Sequence, residues 1–138
     1  MELTLIKTGL NDIDSQHEQL IGCINDLAKS AGTENAKEAV KIALMRLSYY
    51  AVSHLAYEEQ GMTFFGYPRA AEHIEQHQFF VHKLETITEK IKQGLNTPAT
   101  DLLIFMREWL LTHIGKEDVL YAEFLVSCNA APNYKPPV

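Results

Sequence analysis

The sequence predicts an all-α fold, an up-down-up-down four-helix bundle with an extended N-terminal arm and a short C-terminal helical segment. Three observations lead there. Apolar residues recur at steps of three and four in four successive stretches, the spacing of a helix that buries one face. Glycine or proline separates the stretches, at Gly32, at Gly66-Tyr67-Pro68, and at Gly94 with Pro98. The connections are short, which makes consecutive helices antiparallel neighbours.

Residues 1–11 show no sustained period and read as an extended arm, after which Asp12 or Asp14 is placed to cap the first helix. Its stripe is Ile13, His17, Leu20, Ile24 and Leu27, and Gly32 with Thr33 ends it and caps the next. The second helix is expected from about Glu34 to Phe65, with Val40, Leu44, Leu47, Ala51, His54, Glu58 and Met62 on one face. Gly66 and Pro68 stop it, because glycine takes the left-handed conformation at a helix end and proline cannot continue the helix. The third, about Arg69 to Gln93, carries His73, His77, Phe80, Leu84, Ile87 and Ile91, and Gly94 closes it. Thr97-Pro98 reads as the capped start of the fourth, whose stripe is Leu102, Met106, Trp109 and His113. Gly115 is expected to interrupt it before a last segment around Glu117 to Cys128. Residues 129–138 are a proline-rich tail, the bundle spans about 12–128, and no internal repeat stands out, so 1–138 reads as one domain.

The chain is 46% apolar and 22% charged, ordinary for a globular domain. Its net charge of −6, with no basic block, argues against nucleic acid or an anionic membrane as partner. The N-terminus lacks a signal-peptide pattern and no long apolar run appears, so a cytoplasmic protein is expected. Cys23 and Cys128 lie outside any C-x-x-C motif and read as free thiols.

The stripes carry an anomaly. His17, His54, Glu58, His73, His77 and His113 stand where leucine would otherwise sit. One histidine on such a face is ordinarily a core residue with one hydrogen bond. Burying five imidazoles and a carboxylate together without partners would cost several kcal/mol each, and a bound cation removes that cost for all of them. His54 and Glu58 are four apart, as are His73 and His77, so each pair points one way from its helix. In an antiparallel bundle the start of helix one, the end of helix two, the start of helix three and the end of helix four lie at one end, which is where all six residues fall. His82, about 140° round from His77, reads as a surface residue.

Asp118 follows His113 by five, which a regular helix would also turn about 140° away. On spacing alone it reads as a surface residue or cap, unless a distorted turn at Gly115 swings it inward. Seven donors exceed the usual four of zinc and indicate two metals. If both are six-coordinate, about twelve positions need filling: five by histidine, four by two bridging carboxylates, two by a bridging oxide or hydroxide, leaving one open to a small ligand.

These elements together resemble the hemerythrin family, in its single-domain bacterial form. The matching motifs are IDSQH (Ile13 to His17), H-x3-E-E from His54, Tyr67-Pro68, His73-x3-His77 with Phe80, and WLLTHIGKED (Trp109 to Asp118), running from about residue 10 to 125. The resemblance implies a non-haem di-iron centre, two irons bridged by oxo or hydroxo, that binds dioxygen reversibly. By analogy one iron takes His73, His77 and His113, the other takes His17 and His54, and Glu58 and Asp118 bridge. Leu20, Leu55, Trp109, Leu110 and Ile114 are then expected to wall the ligand pocket. Tyr121 is placed as a hydrogen-bond partner behind Asp118 or as an ordinary half-buried tyrosine. Many relatives carry a tryptophan near the N-terminus, where this chain has Leu3, Leu5 and Ile6.

The leading expectation is therefore a non-enzymatic dioxygen-binding protein for carriage, storage or delivery, able to take nitric oxide or small anions such as azide, with an oxygen-accepting protein as partner. The alternative is a sensor of dioxygen, nitric oxide or redox state that acts through a signalling partner. A di-iron oxidase or peroxidase ranks last, because carboxylate-rich Glu-x-x-His pairs are absent.

Overall fold

The computed structural model describes residues 8, 10–95 and 98–128. Four antiparallel rods form the bundle. Helix α1 (Asn11–Ser30) is the first; α2 (Ala36–Tyr50), a π-helical turn (Ala51–Leu55) and α3 (Ala56–Phe65) run together as the second. Helix α4 (Ala70–Lys92) is the third, and α5 (Ala99–Trp109), a π-helical segment (Leu110–Asp118) and α6 (Val119–Ser127) form the fourth. The described residues contain no strand, and none of their helices is long and apolar enough to cross a membrane. Residues 1–7 and 9 of the expected arm, Thr97 at the expected start of the fourth helix, and the tail 129–138 lie outside the described residues.

The glycine stops behave as local chemistry dictates. Gly66 has φ +68°, Tyr67 N donates to Met62 O at 3.0 Å, and Gly66 N donates to Thr63 O at 3.4 Å, so the last carbonyls of α3 are satisfied by the turn itself. Gly94 closes α4 in the same way.

Three expectations change. Leu10, not an aspartate, occupies the cap position of α1, and Asp14 in the first turn instead accepts from Thr8 N and Oγ1, both at 2.7 Å. Asn35 rather than Thr33 occupies the cap position of α2, without a side-chain cap. Gly115 does not interrupt the fourth rod: the irregularity begins at Leu110, five residues earlier in the chain, and the helix runs on into α6 without a break.

Two apolar clusters fill the bundle. The larger includes Leu20, Leu47, Tyr50, Leu55, Phe80, Met106, Trp109, Leu110 and Ile114. The smaller, at the other end, is built from Leu10, Ile13, Met62, Tyr67, Tyr121, Ala122 and Leu125. The four rods place their anomalous polar residues between these clusters.

Candidate metal centre

His17, His54, Glu58, His73, His77, His113 and Asp118 are each at most 1% exposed, and the structure brings all seven together. Each helix supplies its share for a local reason. His54–Glu58 and His73–His77 sit one α-turn apart. Asp118 reaches the cage because Leu110–Asp118 is π-helical: the N–H···O=C bonds run five residues back, so residues five apart return to one face. His82, by contrast, is exposed.

The donors fall into two groups around the carboxylates. Asp118 Oδ1 lies 3.0 Å from His73 Nε2 and 3.1 Å from His113 Nε2, while Oδ2 lies 2.9 Å from His17 Nε2 and 3.9 Å from His54 Nε2. Glu58 Oε1 lies 3.2 Å from His73 Nε2, 3.1 Å from His77 Nε2 and 3.6 Å from His54 Nε2. These are contact distances, yet neither oxygen of Asp118 sits in hydrogen-bond geometry, and Glu58 Oε2 has no partner.

The outer ring nitrogens say why. His77 Nδ1 donates to Glu59 Oε2 at 3.0 Å, His113 Nδ1 donates to Gln76 Oε1 at 2.7 Å, and His54 Nδ1 donates to Gln16 Oε1. A neutral imidazole that donates from Nδ1 presents a bare lone pair at Nε2. The Nε2 atoms of His77 and His113 then face each other at 3.1 Å, and those of His17 and His54 at 3.2 Å. Between His77 and His113, whose Nδ1 protons are both spent on outer acceptors, lone pairs so opposed repel unless a cation sits between them. Two ligands about 2.1 Å from one six-coordinate ion, at right angles, stand about 3 Å apart, so the spacing fits metal ions.

Electrostatics agrees. Burial and the charge of Asp118 push the Glu58 carboxyl up, but His54, His113 and His73 outweigh them and hold it below the usual range. Burial likewise opposes ionisation of Asp118, and His113, His17 and His54 hold it well below. Burial would lower His73, but Asp118 and Glu58 raise it to about 10. The buried negative charge that favours a proton on His73 would equally favour a cation among these donors.

Of the apolar residues expected around a ligand, Leu20, Leu55, Trp109, Leu110 and Ile114 are all at most 5% exposed and belong to the larger cluster. Trp109 stacks on His113 with centroids 4.1 Å apart and planes within 9°. Tyr121 is 2% exposed, not half-buried, and packs edge-on to His73 at 6.0 Å.

Sequence reasoning passed over Gln16, Gln76 and Tyr50. Tyr50 stacks on His54 at 4.9 Å, one turn before it, as Trp109 precedes His113. Each glutamine immediately precedes a cage histidine and binds a histidine on the next rod. The two halves of the site therefore echo each other: Gln16-His17 with Tyr50 and His54, Gln76-His77 with Trp109 and His113. The equal four-residue offsets were a readable signal; the repeat is short and lies in two separated pairs, so no longer period exposes it.

A four-helix bundle enclosing a buried cage of five imidazoles and two carboxylates defines a class, the helical cation-binding proteins. Comparison with known proteins narrows it. The Hemerythrin HHE cation binding domain matches residues 8–125, and the chain belongs to the hemerythrin family. It is 33% identical to the bacteriohemerythrin of Methylococcus capsulatus over 118 residues, 86% of this chain and 89% of that one. It is 32% identical to the myohemerythrin of Riftia pachyptila over 116 residues, 83% and 84% of the two chains. Among solved structures, a leucine-to-tyrosine mutant of a hemerythrin superposes with a TM-score of 0.79 at 29% identity, covering 89% of this chain and 97% of the other.

Proposed function

We propose that this chain binds dioxygen reversibly at a pair of iron ions bridged by oxo or hydroxo, serving carriage, storage or delivery. In this reading His73, His77 and His113 hold one iron, His17 and His54 the other, and Glu58 and Asp118 are shared. The observation that carries it is the unequal division of imidazoles about common carboxylates, with three in one donor group and two in the other. The smaller group is one protein donor short, which suits a small exogenous ligand.

The irons would supply the electrons that dioxygen takes up on binding and returns on release. The residues do the rest. Gln16, Glu59 and Gln76 hold three imidazoles in the tautomer that offers Nε2 inward. Leu20, Leu55, Trp109, Leu110 and Ile114 keep water and stray protons from the ligand, which favours its departure unchanged.

The test is a metal count with absorption spectra. A reduced, anaerobic sample containing two irons per chain is expected to develop a ligand-to-metal band in air and lose it on removing oxygen. His113→Leu is expected to lose two-iron loading. A wild-type chain whose band does not reverse, or which turns over repeatedly with an added reductant, overturns the reading.

A further inference from the structure

One turn to the core side of the cage, each rod contributes one side chain to a common layer: Leu20 three after His17, Tyr50 four before His54, Phe80 three after His77 and Trp109 four before His113. Phe80 meets Tyr50 at 5.8 Å and Trp109 at 4.4 Å between ring centroids. Tyr50 and Trp109 lie flat on His54 and His113, one histidine from each donor group. Trp109 Nε1 donates to the Tyr50 hydroxyl oxygen at 3.4 Å. The phenol therefore stands over the seam between the two groups.

That hydroxyl is out of place by ordinary packing rules. Tyr50 is 4% exposed and carries the one hydroxyl among the buried residues of the larger cluster. Its oxygen accepts from Trp109, but its own proton has no acceptor among the described residues. A buried donor left unspent is unfavourable, and buried polar groups are ordinarily satisfied. A groove of about 320 Å³ between α1 and α2, lined by Leu20, Cys23, Leu47 and Tyr50 among others, reaches this layer from outside.

We propose that Tyr50 is a specificity-determining residue whose O–H donates a hydrogen bond to the small exogenous ligand bound in the cage. It favours ligands whose outer atom accepts a hydrogen bond, such as dioxygen and azide, and slows their release. The inference rests on the reading of the cage as a two-iron, small-ligand site. Leu20, Phe80 and Trp109, the other members of the layer, offer that ligand no hydroxyl.

Azide is the probe, added to iron-loaded wild type and Tyr50→Phe. The variant keeps the ring that stacks on His54 and is expected to retain two irons and its far-ultraviolet dichroism. Its azide affinity is expected to fall roughly three- to ten-fold, the effect of one lost hydrogen bond. The vibrational band of bound azide is expected to shift between H2O and D2O in wild type and to lose that shift in Tyr50→Phe. Unchanged affinity with an unchanged isotope shift overturns the proposal. If Tyr50→Phe does not load iron, wild type decides alone: a band indifferent to D2O overturns the assignment. Wild type that takes up two irons but no azide overturns the parent reading with it, a result distinct from azide binding that ignores the substitution.

Discussion

His77 and His113 show at the scale of single residues how the cage is held open for cations. Each spends its Nδ1 proton on an outer acceptor, Glu59 and Gln76, so their Nε2 lone pairs converge at 3.1 Å. Gln76→Leu removes one of these supports without touching the cage, and is expected to weaken metal binding about 10- to 100-fold in a chelator competition titration. His73 sets the pH dependence. In the metal-free chain its value of about 10 lies above the ordinary imidazole value, so its stabilising contribution is complete below about pH 6.5 and is lost as pH rises towards 10. Asp118 and Glu58 are held low, so theirs is complete above the ordinary carboxylate value, about pH 4, and is lost as pH falls below it. The thermal midpoint of metal-free protein is therefore expected to peak between about pH 4 and 6.5. A metal ion needs neutral imidazole, so loading at neutral pH is expected to release the His73 proton, measurable by calorimetry in buffers of different ionisation enthalpy.

At the scale of elements, the two π-helical stretches fall at Ala51–Leu55, which holds His54, and at Leu110–Asp118, which holds His113 and Asp118. The second resolves the puzzle of Asp118. The five-residue spacing was legible, but a regular helix was the only ruler available in the sequence, and by it the carboxylate pointed outward. Gly115 lies inside the π-helical segment, which begins five residues before it at Leu110. The hairpin between the second and third rods depends instead on Gly66. Its φ of +68° is strained for any side chain, while a Cβ there would meet nothing within 4 Å. Gly66→Ala is thus expected to cost about 1–2 kcal/mol in denaturant unfolding, with the iron-to-protein ratio unchanged.

For the whole molecule, the cage is a polar layer clamped between two apolar clusters, and its donors have few partners but each other. Removing metal is expected to lower the thermal midpoint, and adding it at about 100 times its dissociation constant to restore roughly 2.7 kcal/mol, measurable by melting with and without chelator. What the sequence by itself determined was the bundle, its breaks at Gly66 and Gly94, and the interior placement of His17, His54, Glu58, His73, His77 and His113, because helical periodicity is a local property that one chain displays. What only the tertiary structure decided was the inward turn of Asp118 and the reach of Gln16 and Gln76 to histidines on neighbouring rods. It also decided the meeting of Tyr50 with Trp109 above the cage. Those contacts join residues far apart in the chain, and no spacing along one helix specifies which side chain the next helix will present.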